Sequence, residues 1–77
     1  MDCHVDVKIS SVDEDEINLL NTVMSTIPGI PLERYISRDR WHKEYVVSIE
    51  QATLKELKKV LHVVMPVVKS ERIEIET

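Results

Sequence analysis

The stretch Cys3-His4-Val5-Asp6-Val7-Lys8-Ile9-Ser10-Ser11-Val12-Asp13-Glu14-Asp15-Glu16-Ile17 changes its apolar period midway, and that change decides the fold. Cys3, Val5, Val7 and Ile9 alternate with His4, Asp6, Lys8 and Ser10. Successive side chains of a strand point to opposite faces, so these residues predict a strand with one buried and one wet face. Past Ser11 the period lengthens: Ile17, Leu20, Met24 and Ile27, with Val23 beside them, recur every three or four residues, the stripe of an amphipathic helix. Asp13 can cap that helix while Glu16 reaches back to it, and Val12 and Ile17 stand at the two positions of a hydrophobic staple. Asp13, Glu14, Asp15 and Glu16 also place negative charge at the positive end of the helix dipole. Pro28 and Gly29, the only glycine, are expected to stop it.

Outward from this βα unit, residues 30–38 read as extended, and Tyr45, Val47 and Ile49 alternate with Glu44, Val46, Ser48 and Glu50, so the two segments predict a hairpin. Thr53 with Glu56 repeats the capping-box signature and opens a second helix with Leu54, Leu57, Leu61, Val64 and Met65 inward, bent or ended by Pro66. Ile73 and Ile75 then alternate with Arg72, Glu74 and Glu76 as a last strand. The order β-α-β-β-α-β predicts an α+β, ferredoxin-like fold: a four-stranded antiparallel sheet with both helices on one face and the first and third strands central. The other face is expected to be open and mostly polar, formed by His4, Asp6, Lys8, Ser10, Glu44, Val46, Ser48, Arg72 and Glu74.

With 77 residues the chain is expected to be a single domain, residues 1–77. A start at Met1-Asp2-Cys3-His4 without a basic or apolar leader reads as cytoplasmic. The longest apolar run, residues 60–68, is broken by His62 and Pro66 and is far short of the roughly 20 residues of a membrane span. Cys3 cannot form an internal disulfide, and Cys3 with the three histidines lacks the paired spacing of a zinc site.

The fold hosts many activities, so function has to come from sites. RNA-recognition domains of this plan stack bases on aromatic residues of the two central strands, but this chain has no Phe and puts His4, Asp6, Lys8, Val46 and Ser48 where those rings would be. A phosphate cradle after the first strand is opposed by Asp13, Glu14 and Asp15 and by the lack of a loop glycine, and the same acids lack the spacing of a calcium loop. His42 near Ser37 and Asp39 is the only arrangement approaching a nucleophilic site, and a turn histidine in so small a chain offers no dry pocket. No enzyme and no cofactor are expected.

Two surfaces stand out. Arg34, Arg38, Arg40 and Lys43 against Asp39 give +3 over residues 34–43, interleaved with Tyr35, Trp41 and His42, residue types enriched at binding hot spots. On the second helix Val60 lies at the margin of the core stripe and Val63 outside it, while the opposite flank carries Lys55, Lys58, Lys59 and His62. An exposed valine row beside an edge strand points to a partner.

Residues 20–30, with Ile27, Pro28, Gly29 and Ile30 turning into the second strand, together with Tyr45 to Ile49, Leu54 to Leu61 and the turn Met65-Pro66-Val67-Val68 into Ile73 and Ile75, are similar to ACT domains and to the ligand-binding domains of the leucine-responsive regulator family. The resemblance implies dimerisation and regulation by an effector at the dimer interface. It assigns no effector-binding residues, because the loop after the first strand has no glycine.

The function expected from the residues is a small non-catalytic module that docks on a larger protein as inhibitor, adaptor or regulatory subunit. Residues 1–33 hold seven acids and one base (−6) and residues 34–69 eight bases and four acids (+4), within a net charge of −4. Such polarity suits oriented docking. Either the Arg34–Lys43 hairpin meets an acidic surface, or Asp13 to Glu16 meet a basic one and mimic nucleic-acid charge, as small phage-borne inhibitors of nucleic-acid enzymes do. The alternatives are an ACT-like dimeric small-molecule sensor and a nucleic-acid binder using the hairpin with Trp41 as a stacking platform.

Overall fold

The computed structural model of the chain describes residues 3–38 and 41–77. Strand β1 (Cys3–Ser10) is followed by helix α1 (Glu14–Met24), strands β2 (Glu33–Arg38) and β3 (Lys43–Ala52), helix α2 (Leu54–Val64), a 3-10 turn (Ser70–Arg72) and strand β4 (Ile73–Glu76). The strands form one antiparallel sheet in the order β2-β3-β1-β4, so the order and the topology are those of the ferredoxin-like fold. The radius of gyration, 11.7 Å, matches the roughly 11.5 Å of a compact domain of this length.

The register follows from the alternation. Val5, Val7 and Ile9 of β1 stand opposite Ile49, Val47 and Tyr45 of β3, and these residues share one core with Leu20 and Met24 of α1 and Val60 and Val64 of α2. Both helices therefore cover the same face. On the other face Asp6, Lys8 and Ser10 stand opposite Ser48, Val46 and Glu44. Val46 is buried there, between Lys8 on one neighbouring strand and Tyr35 on the other.

Both capping boxes form. The Asp13 carboxylate accepts from the Glu16 N–H at 2.8 Å, the Thr53 hydroxyl accepts from the Glu56 N–H at 3.2 Å, and each glutamate accepts in return from the cap's own N–H. Helix α1 ends at Met24, ahead of Pro28: the hydroxyls of Ser25 and Thr26 donate to the carbonyls of Thr22 and Val23 at 2.7 and 2.6 Å. Short hydroxyl side chains compete in this way for helix carbonyls and close the last turn. Gly29 makes the turn towards β2 instead, at φ +74°, a region that glycine enters without steric cost.

Helix α2 departs from the sequence expectation in its rotation. Val60 is fully buried and Val64 with it, whereas Leu54 and Met65, expected inward, are 65% and 54% exposed. Beyond Met65 two tight turns return to the Val64 carbonyl, from the N–H groups of Val67 and Val68, and they bring Val68 into the core. The stripe is thus completed by residues beyond Pro66, which draws the helix round towards Val60. Val63 and Val67 pack against the core edge, so the exposed valine row does not exist, and Val60 is unavailable to any partner.

Tyr45 ties the sheet to α1: its buried ring places the phenol O–H 2.6 Å from Asn21 Oδ1, while Arg34 Nη1 donates to the Asn21 carbonyl at 3.2 Å. Burial pushes the Tyr45 phenol above the ordinary tyrosine value, and the Arg34 charge pulls the other way. The folded state therefore holds this proton more tightly than the unfolded chain. The stability it contributes is complete below the unfolded tyrosine pKa and is lost as pH rises through the folded one. Tyr45→Phe is expected to cost about 1 kcal/mol near neutral pH, and denaturant titrations at rising pH should show its deficit shrinking on the alkaline side.

Candidate functional site

The acidic start of α1 is engaged inside the molecule. Asp13 is the cap, and the Glu14 carboxylate takes a hydrogen bond of 2.6 Å from Lys43 Nζ, which holds Glu14 below the ordinary glutamate value. Glu16 meets the guanidinium of Arg72 with both oxygens, at 2.7 and 2.9 Å. Arg72, expected on the open sheet face, also donates to the carbonyls of Ser10 and Ser11 at 3.0 to 3.1 Å. Among the described residues, only Asp15 of the four acids has no side-chain partner of this kind. The cluster expected to face a basic partner is a fastening.

The basic hairpin is divided in a similar way. By register, Arg34, Ile36 and Arg38 of β2 face the helices, and Tyr35 and Ser37 face the open side. Arg34 serves Asn21 and Lys43 serves Glu14, so neither stands ready for a partner. Tyr35 is about half-exposed, Trp41 is 80% exposed and His42 is exposed, while Arg40 and Asp39 lie outside the described residues. His42 and Ser37 border a hollow of about 330 Å³ with Ser10, Ser11, Lys43 and Glu44, none of them buried.

A second serine–histidine–carboxylate group lies on the open face, assembled across two strands from residues distant in the chain. Pairing of Asp6 with Ser48 across β1 and β3 brings both to His4. Asp6 Oδ1 is 2.9 Å and Ser48 Oγ 3.5 Å from the ring, and both contacts are to Nε2. A relay needs the carboxylate on one ring nitrogen and the hydroxyl on the other. Here the two compete for one nitrogen of an exposed ring, an arrangement that orders a polar surface and cannot activate a nucleophile.

A concavity of about 660 Å³ lies between α2 and the turn that follows α1. Half-buried Ile27 and Val63 line it with the exposed Pro28 and Leu54, and so do Lys55, Lys58, Lys59 and His62. Its lining is mostly apolar and holds no acid. Lys8, Arg34, Lys43 and Arg72 all have partners, but among the described residues Lys55, Lys58 and Lys59 have none. Spaced three and four apart, these lysines repel one another along the helix. The sequence had shown this basic flank but set it opposite Val63; the α1 turn that makes a groove of the two was not visible as a signal, because Thr26, Ile27 and Pro28 are far away in the chain.

Among the described residues no helix is long and apolar enough to cross a membrane. Compared with models of known protein families and with characterised proteins, the chain matches none.

The Arg72 hydrogen bond holds the Glu16 carboxyl below the ordinary glutamate value. The folded state thus binds fewer protons than the unfolded chain just below that value, and the stability this contributes is present above it and lost as pH falls through the depressed folded pKa. Arg72→Gln is expected to cost about 1–2 kcal/mol near neutral pH. In urea melts the gap from the unmodified chain should close as the solution is acidified through the carboxylate range.

Proposed function

We propose that this chain is a non-catalytic protein-binding module that works by docking on a larger protein, as an inhibitor, adaptor or regulatory subunit. One observation carries it: three lysines that have no partners among the described residues, ranged along an apolar groove, in a chain whose net charge is −4 and in which Lys8, Lys43 and Arg72 are paired with acids. A helix that sets three lysines against the single acid Glu56 carries repulsion that an acidic partner relieves. Surface of this kind, apolar with a one-signed border, is what interaction sites present. The serine–histidine groups on the sheet side are exposed and lack the dry, preorganised donors that catalysis uses.

Single-stranded nucleic-acid binding is the second reading, favoured by the 80% exposure of Trp41 between β2 and β3. An ACT-like sensor is the third, and it requires a dimer and a small effector.

The tagged chain and its Lys58→Glu, Lys59→Glu variant are the test. A protein retained by the unmodified chain, lost with the variant and re-forming a complex from purified components in sedimentation is the expected result. Quenching of Trp41 fluorescence by a short single strand, undiminished in the variant, decides for nucleic acid. A melting temperature raised by an amino acid or nucleotide decides for the sensor.

A further inference from the structure

We infer that the groove between α2 and the α1 turn receives an acidic amphipathic helix of the partner protein, a step that rests on the protein-binding function above. Its lining comes from one helix and one turn, and no sheet edge borders it. An extended segment laid there would have no strand to pair with and would press unsatisfied N–H and C=O groups against apolar side chains. A helix satisfies its own backbone and offers only side chains.

The length agrees. Leu54 to Val63 rises about 14 Å at 1.5 Å per residue, the span of two and a half turns of a partner helix. Charge sets the chemistry: Lys55, Lys58 and Lys59 call for acids on the flanks, and the apolar lining calls for aliphatic anchors between them. A small anionic ligand fits poorly. Ligand sites enclose most of their occupant's surface, whereas no residue lining this trough is itself buried. Single-stranded nucleic acid needs rings on which successive bases stack, and the lining offers one, the imidazole of His62, with no Phe, Tyr or Trp.

The probe is a labelled synthetic helix of about 16 residues with leucines at i, i+4, i+7 and i+11 and glutamates on both flanks. Fluorescence anisotropy with the full chain should show saturable binding that weakens with salt. Lys58→Glu with Lys59→Glu should weaken it about tenfold and Leu54→Ala about fivefold. These three positions are exposed, so circular dichroism melts should show the fold retained in every variant. No saturable binding, equal binding of a peptide with its leucines scrambled, or unaltered affinity in both variants overturns the helix. So does tighter binding of an oligothymidine strand, or self-association that the lysine variant abolishes. If the peptide fails while the variant still loses its captured protein, the acidic helix falls and the docking function stands. If neither binds, both fall.

Discussion

The two-pronged ion pair between Arg72 and Glu16 is the constraint on which the rest of the molecule depends. Strand β4 is four residues long and pairs with β1 alone, so its backbone hydrogen bonds are a weak anchor. The arginine just before it reaches the carbonyls of Ser10 and Ser11, at the corner where β1 gives way to α1. Ser11 takes a left-handed φ of 58° there, a conformation that costs a residue with a Cβ more than it costs glycine. Donation by Arg72 holds that corner in place. Oε1 of Glu16 also accepts from the Asp13 N–H at 3.2 Å, so one carboxylate fixes both the start of α1 and the entry to β4. The first helix and the last strand are thereby joined across nearly the whole chain.

Much of the fold was legible because it is written locally. The alternation in Cys3 to Ser10 and in Tyr45 to Ile49, the capping boxes at Asp13 and Thr53, and the order of elements each depend on neighbours within four residues. What the sequence hid was set at long range. Rotation of α2 turned on whether Val68, past Pro66, reaches the core; only tertiary packing answers that, and it sends Leu54 and Met65 outward and Val60 in. The end of α1 was hidden for another reason. Proline and glycine are conspicuous stops, but the hydroxyls of Ser25 and Thr26 take the last carbonyls sooner.

Charge taught the same lesson more sharply at the candidate site. Along the chain the acids of residues 13–16 and the bases of the hairpin look like two separate opposite patches. In the folded molecule they meet, Glu14 with Lys43, and Arg72 takes Glu16. Clusters of one sign in a short chain are as apt to be halves of an internal fastening as docking surfaces, and periodicity cannot tell the two apart.

The position of the unpaired charge then follows from the architecture. On the open face of the sheet, strands bring complementary side chains side by side: Lys8 pairs with Glu76 there, and His4 shares a hydrogen bond with Asp6. A helix offers its neighbours only at three and four residues, and from Lys55 to His62 the acid within reach is Glu56, one oxygen of which accepts from Thr53 in the capping box. The flank of α2 has no other acid to turn to. Lys55, Lys58 and Lys59 thus outnumber the single carboxylate of this flank, and the same turn of helix lays Leu54 beside them. The residues that start α2 also line the cationic, apolar-lined groove in which the interaction is proposed.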